Sequence, residues 1–189
     1  MKKGRLFVFA APSGSGKTTI ARNVLNKFPE LVFSISATTR NARNIEKHGK
    51  DYFFISEEEF KEKIEKNEFV EWEKFYDYYY GTLKSFVEKE IFNGVSVVLD
   101  IDVKGAVNIK ESYPDAVLIF VSPPSLEELK SRLINRNTET DVDLKKRIER
   151  AEMEMSYKNK FDHVILNDDL EKAKKEAEEI IKKYINQEA

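Results

Sequence analysis

Cysteine is absent from the 189 residues, which excludes disulfides and thiolate-held metals. Histidine occurs only as His48 and His163, far apart in the chain, so neither a zinc site nor a histidine-based triad is expected. No apolar run approaches the ~20 residues that a membrane-spanning helix requires. Charge is nearly balanced, with a net of −2, so no global field favours nucleic acid, and any phosphate has to be held locally. The basic start Met1-Lys2-Lys3-Gly4-Arg5 before Leu6 to Ala11 has the outline of a secretory leader. Its apolar part is too short and runs straight into a glycine loop, so a cytoplasmic chain without a membrane partner is expected. With 41% hydrophobic and 35% charged residues, the composition is that of an ordinary globular protein: one compact unit, or a core with a small insert.

What is present centres on Ala11-Pro12-Ser13-Gly14-Ser15-Gly16-Lys17-Thr18-Thr19, between the apolar run Leu6 to Ala10 and a helical pattern. In that pattern Ile20, Ala21, Val24, Leu25 and Phe28 share a face before Pro29 ends it. The order strand, glycine loop, helix is the context of a phosphate-binding P-loop. Gly14 and Gly16 let successive N–H groups point inward, and the helix N-terminus adds partial positive charge to the same hollow. Lys17 then reaches β- and γ-phosphates, and the Thr18 hydroxyl can ligate Mg²⁺. Only the first position of the G-x-x-x-x-G-K-[ST] pattern departs, with Ala11 in place of glycine.

Further along, Val32 to Ser36 reads as a strand leading to Thr38-Thr39-Arg40-Asn41-Ala42-Arg43. Arginine is used only at positions 5, 22, 40, 43, 132, 136, 147 and 150, and all other basic residues are lysine. Arg40 and Arg43 can clamp one phosphate from two sides, or form a solvated basic loop. From Asn44 to Lys84 the chain reads as an aromatic-rich insert. It holds strands at 51–55 and 69–75, a helix capped by Ser56 and Glu59, and then Tyr78-Tyr79-Tyr80-Gly81-Thr82. Within it Glu71, between Val70 and Trp72, is either a carboxylate set in an apolar and aromatic stretch, which needs a partner to satisfy it, or a surface acid on an exposed strand face. A helix from about Ser85 to Phe92 precedes the apolar strand Val95 to Leu99 and then Asp100-Ile101-Asp102. Those acids are the metal-ordering end of a buried parallel strand, or a helix N-cap with a neighbour. A helix through Ala106, Val107 and Ile109, the strand Ala116 to Val121, and a helix capped by Ser125 and Glu128 follow. Arg132 and Arg136 share a face of the last of these, and Arg147 lies in the next helix. That helix–loop–helix is a closing lid or a charged surface hairpin. His163 to Leu166 is the final strand, and the closing lysine- and glutamate-rich helix presents a solvated face.

Seven stretches in this order resemble the guanylate kinases: Ala11 to Lys17, Ser36 to Arg40, Gly49-Lys50-Asp51-Tyr52, Glu71-Trp72, Tyr79 to Thr82, Leu99 to Asp102 and Val164 to Asp168. The resemblance implies an α/β fold of the P-loop NTPase kind, three layers about a parallel sheet, with a small mixed α+β GMP-binding insert and a helical lid. It divides the chain into a core nucleotide-binding domain (1–36, 85–125 and 161–189), a GMP-binding insert (37–84), and a lid with flanking helices (126–160). It implies ATP at the P-loop, residues Ala11, Pro12, Ser13, Gly14, Ser15, Gly16, Lys17, Thr18 and Thr19, with Asn167 near the adenine. Arg40, Arg43, Tyr52 and Tyr80 would hold the GMP phosphate, and Ser36, Glu71, Thr82 and Asp102 would meet or frame the guanine. Arg132, Arg136 and Arg147 would close over the transferring group, while Thr18, and Asp100 through water, would hold Mg²⁺. Asn137 stands where the lid often has glycine, and residues 41–45 lack the prolines and glycine common there.

The activity implied is MgATP plus GMP to ADP plus GDP, in purine nucleotide metabolism, with no strongly perturbed general base because the GMP phosphate is itself the nucleophile. A non-catalytic scaffold of the same fold binding a protein partner is the alternative, and a P-loop hydrolase switch is a second. The retained Lys17, Thr18 and arginines speak against the first. The second needs a water-positioning residue and a switch loop, and neither is seen. Whether the chain is a monomer or a homo-oligomer is not legible.

Overall fold

Leu6–Ala10 (β1) is buried at every position, as expected of a strand covered on both faces. In the computed structural model, which describes residues 3–43, 45–75, 77–135 and 141–186, it is the central strand of a five-stranded sheet. Around it stand Val32–Phe33 (β2), Val97–Ile101 (β7), Val117–Ser122 (β8) and His163–Leu166 (β9), in the order β2-β7-β1-β8-β9. Every pairing is parallel. The two-residue period of β1 sorts the core. Phe7 and Phe9 meet Ile20, Ala21 and Val24 of Lys17–Lys27 (α1) and Ala173, Ala177 and Ile181 of Leu170–Asn186 (α7). Leu6, Val8 and Ala10 meet Val87 of Lys84–Phe92 (α3) and Val103, Ala106 and Ile109 of Val103–Ser112 (α4). Helices thus cover both faces, giving the three-layer α/β/α arrangement.

A second sheet, order β4-β3-β6-β5, is built from Ala37–Thr38 (β3), Phe53–Phe54 (β4), Phe69–Phe75 (β5) and Tyr78–Leu83 (β6). It is mixed, with β3 parallel to β4 and both other pairings antiparallel. Glu57–Glu65 (α2) covers it, N-capped by Ser56, whose hydroxyl accepts from the Glu59 N–H at 3.1 Å. Phe60 of α2 stacks on Phe69 with centroids 4.3 Å apart. A Cβ at position 81 would lie 2.9 Å from the Phe69 ring and 3.0 Å from Phe60, so only glycine lets the two aromatics reach β6. Leu126–Asn135 (α5) and Asp141–Met155 (α6) pack together through Leu129, Leu133 and Ala151. Ser125 caps α5 by accepting from the Glu128 N–H at 3.1 Å. Among the described residues no helix is long and apolar enough to cross a membrane.

Several elements differ from the sequence expectations. The run 32–36 is divided between the sheets: β2 ends at Phe33, and the Ser36 carbonyl already accepts from Phe53 of the second sheet at 2.9 Å. The strand expected at 51–55 narrows to β4. Tyr78–Leu83 is a strand that the sequence did not announce, since its tyrosine–glycine run shows no alternation. Asp100 lies inside β7, not beyond its end. Val107 is half-buried, while Val103 and Gly105 join Ala106 and Ile109 on the buried face of α4.

Candidate functional site

The loop between β1 and α1 lies at the carboxyl ends of parallel strands, where open α/β sheets bind ligands. Gly14 and Gly16 adopt φ of 94° and 87°, the left-handed region that glycine alone enters freely. The loop is held from within. The Asn167 side-chain amide donates to the Ser15 carbonyl at 2.7 Å, and a Cβ on Gly16 would sit 2.4 Å from that amide nitrogen. The 11-residue α1 carries no acid in its first turn, so its positive end is not neutralised locally.

Register sets Asp100 of β7 opposite Phe9 of β1, which brings its carboxylate to the start of α1. Lys17 Nζ pairs with Asp100 Oδ1 at 2.5 Å and donates to the Ile101 carbonyl. Thr18 Oγ1 donates to Asp100 Oδ2 at 2.7 Å. Lysine, hydroxyl and carboxylate therefore form one constellation at the mouth of the loop. Asp102 N-caps α4, with Oδ1 accepting from the N–H of Lys104 at 2.8 Å and of Gly105 at 3.0 Å. The N-cap alternative thus holds for Asp102, while Asp100 sits beside the P-loop lysine and threonine.

A cleft of ≈800 Å³ joins this loop to the second sheet, and Ser36, Tyr52, Glu71, Tyr80, Asp100 and Asp102 line it together with the P-loop and Arg147. Arg40 stands beside it, its two terminal nitrogens donating to Glu46 Oε2 at 2.6 Å and Oε1 at 2.7 Å. Its guanidinium lies 4.9 Å from the centre of the Tyr52 ring, and the Tyr52 and Tyr80 rings are 6.3 Å apart. The Arg40 fork and the Arg43 N–H, 2.8 Å away, hold the Glu46 carboxyl down at about 2. Burial pushes the Tyr52 hydroxyl above its ordinary value.

At the far end of the cleft β5 presents Glu71, Glu73 and Phe75 on one face, with Trp72 exposed on the other. Glu71 is only 8% exposed, and the buried Thr82 hydroxyl donates to its Oε1 at 2.7 Å. Burial pushes the Glu71 carboxyl up to about 8, the Thr82 hydrogen bond opposes the rise, and Asp102 and Glu73 add to it. Its other oxygen faces Gly105, where a Cβ would come within 2.6 Å.

Two of the residues named by the resemblance are tied to the P-loop and its neighbourhood by hydrogen bonds. Asn167 is buried against the P-loop backbone. Arg132 donates from Nε to Glu128 at 2.9 Å and from Nη2 to the Asn167 carbonyl at 3.3 Å. The Arg43 side chain is exposed. Arg136, Asn137 and Asn44 lie outside the described residues. Sequence reasoning missed Glu46, Glu73, Arg150 and Glu154, all at the cleft. The alternation along β5 that placed Glu71 also places Glu73, and Arg150 and Glu154 form an i,i+4 pair.

The family model described as guanylate kinase matches residues 3–184. The guanylate kinase of Bacteroides thetaiotaomicron is 52% identical over 187 residues, 98% of this chain and 92% of that one. That of Thermotoga maritima is 48% identical, covering 90% of this chain and 83% of its own. Among solved structures, the guanylate kinase of Anaplasma phagocytophilum superposes with a TM-score of 0.80 at 32% identity, covering 97% of this chain and 87% of that one.

Proposed function

The chain belongs to the guanylate kinase family and transfers a phosphoryl group from ATP to GMP; we propose that its cleft does so by assigning the P-loop to the donor and the second sheet to the acceptor. The observation that carries this assignment is the single cleft joining the Lys17–Thr18–Asp100 constellation to Tyr52, Tyr80 and the buried Glu71. Phosphoryl transfer has a loose transition state, so the protein's work is to bring two anions together and neutralise the equatorial oxygens. Lys17 and the loop N–H groups from Ala11 to Thr19 hold the donor phosphates. Arg40, Arg43, Tyr52 and Tyr80 hold the acceptor phosphate, and Ser36, Glu71, Thr82 and Asp102 read or frame guanine. Arg147, with Arg132 and Arg136, closes over the transferring group, which also excludes water that would hydrolyse ATP. Asn167 serves the donor site by fixing the loop.

The oxygens of Thr18 and Asp100 suit a small hard cation that arrives with its phosphates and keeps most of its water. Thr18, and Asp100 through water, would hold Mg²⁺, which would supply charge neutralisation to the donor phosphates. Such a cation is ordinarily held by one or two protein oxygens together with substrate phosphates. Under this reading residues 37–84 form the acceptor insert, 126–160 the lid, and 1–36, 85–125 and 161–189 the core. A cytoplasmic location and a place in purine nucleotide metabolism are part of the same proposal.

ADP release, followed with ATP and each of GMP, AMP, CMP and UMP, tests the assignment. GMP alone is expected to raise turnover far above that of ATP by itself, and equal stimulation by AMP would refute the guanine site.

A further inference from the structure

Arg150 stands at the cleft and takes no part in the assignment above. Its Nη2 donates to Glu73 Oε2 at 2.8 Å, its Nε to Glu154 Oε1 at 2.7 Å, and its guanidinium carbon lies 4.3 Å from the centre of the Phe75 ring. Glu73 and Phe75 belong to β5 of the second sheet, Arg150 and Glu154 to α6. The contact is thus a bridge from the lid-side helix to the acceptor-side hairpin. Glu154 is buried, and Arg150 and Glu73 are mostly shielded, so this is not the solvated surface pair whose worth is near zero. A guanidinium with two carboxylate partners and an aromatic face beneath it is fixed in direction as well as charge, which a lysine ammonium could not match.

Arg147 precedes Arg150 by three residues on the same helix, the spacing that puts two side chains on one face, and it lines the same cleft. Beyond this bridge, α6 is packed through Ala151 and Ile148 on α5 and through Met155 on the main core. The grip of Arg150 on Glu73 and Phe75 is a direct link between the helix that carries Arg147 and the acceptor hairpin.

We propose that Arg150 is a positioning residue for Arg147: by docking α6 on β5 through Glu73 and Phe75, it makes arrival of Arg147 over the cleft and closure of the acceptor hairpin one movement. The inference rests on the role given to Arg147 above. Four proteins, the wild type, Arg147→Gln, Arg150→Gln and the double variant, separate the two when kcat and both KM values are measured. Arg150→Gln is expected to lower kcat by about ten- to a hundredfold, the scale of a small misplacement of a catalytic group, with little change in KM for ATP. In the Arg147→Gln background the same change should cost no more than about twofold, because the group it positions is gone. Glu73→Gln, which removes the acceptor's charge and leaves Glu154 in place, should reproduce the loss, and supplies the comparison if Arg150→Gln does not fold. Wild-type kcat in Arg150→Gln, or losses that multiply in the double variant, would overturn the inference and leave the function standing. Wild-type kcat in Arg147→Gln, with Arg150 intact, would instead remove the role of Arg147 and the inference with it.

Discussion

Asn167, the residue after β9, donates its side-chain amide to the Ser15 carbonyl at 2.7 Å while its own N–H bonds the Ser122 carbonyl at 2.8 Å. The edge of the core sheet thereby fixes the curvature of the phosphate loop. Replacing Asn167 with Ala leaves a buried carbonyl unpaired, at a cost of about 1 kcal/mol or more. KM for ATP is expected to rise about fivefold, that cost expressed as a binding ratio, with the preference for ATP over GTP unchanged. A shifted donor preference at unaltered KM for ATP would show that the amide reads adenine.

Lys17 and Asp100 face each other at 2.5 Å, the lysine being ready to exchange its carboxylate partner for phosphate oxygens. Lys17→Met removes a charge needed most in the transition state, so kcat should fall by far more than tenfold while cooperative unfolding persists. Retention of more than about a tenth of wild-type kcat, at saturating ATP, would remove Lys17 from the transfer step.

The core was legible in the sequence because its physics is local. The periodicity of Leu6 to Ala10 and of α1, the two loop glycines and the cap at Ser56 each appear within a few residues. The pairings across the cleft were not legible, because they are made by folding alone. Arg40 and Glu46 lie six residues apart in a loop without periodicity, and Glu73 meets Arg150 across 77 positions. The bond from the Asn167 side chain to the Ser15 carbonyl was not legible either, because no sequence pattern says which way a side chain turns at a strand end. The strand Tyr78–Leu83 was hidden by its own composition, since three tyrosines before a glycine alternate in nothing but position.

Glu71 gives the ligand-free protein a pH dependence whose sign follows from burial. Its carboxyl is raised from 4.5 to about 8 in the folded chain, so between those values the folded state binds more protons than the unfolded state. Stability should fall as pH rises through this window, by at most ~1.4 kcal/mol per pH unit from this group, and level off above it. Burial raises Glu73 and Glu154 as well, and the difference between wild type and Glu71→Gln carries the Glu71 titration together with its coupling to Glu73. Urea unfolding of both proteins at several pH values measures it as the difference in slope, and identical slopes would contradict the burial argument.

Guanine presents N1–H and its 2-amino group side by side, two donors that suit an ionised carboxylate. Below about pH 8, GMP binding is therefore expected to release a proton from Glu71, and GMP affinity to weaken as pH falls. Calorimetry in buffers of different ionisation enthalpy measures the release directly. Glu71→Gln should abolish it and lower kcat/KM for GMP by about 2 kcal/mol, the scale of a charge-assisted hydrogen bond lost from a buried site, with little change in KM for ATP. Unchanged kcat/KM and unchanged rejection of AMP in that variant would reduce Glu71 to a structural acid.

The central claim is that one cleft passes a phosphoryl group directly from the P-loop side to the acceptor side. Phosphorus NMR of a mixture of ATP, labelled with oxygen-18 in the γ-phosphoryl group, Mg²⁺, GMP and the protein follows that group itself. The account predicts that the label appears in the β-phosphoryl group of GDP in step with ADP formation. Label accumulating in inorganic phosphate, with GMP unconsumed, would contradict it.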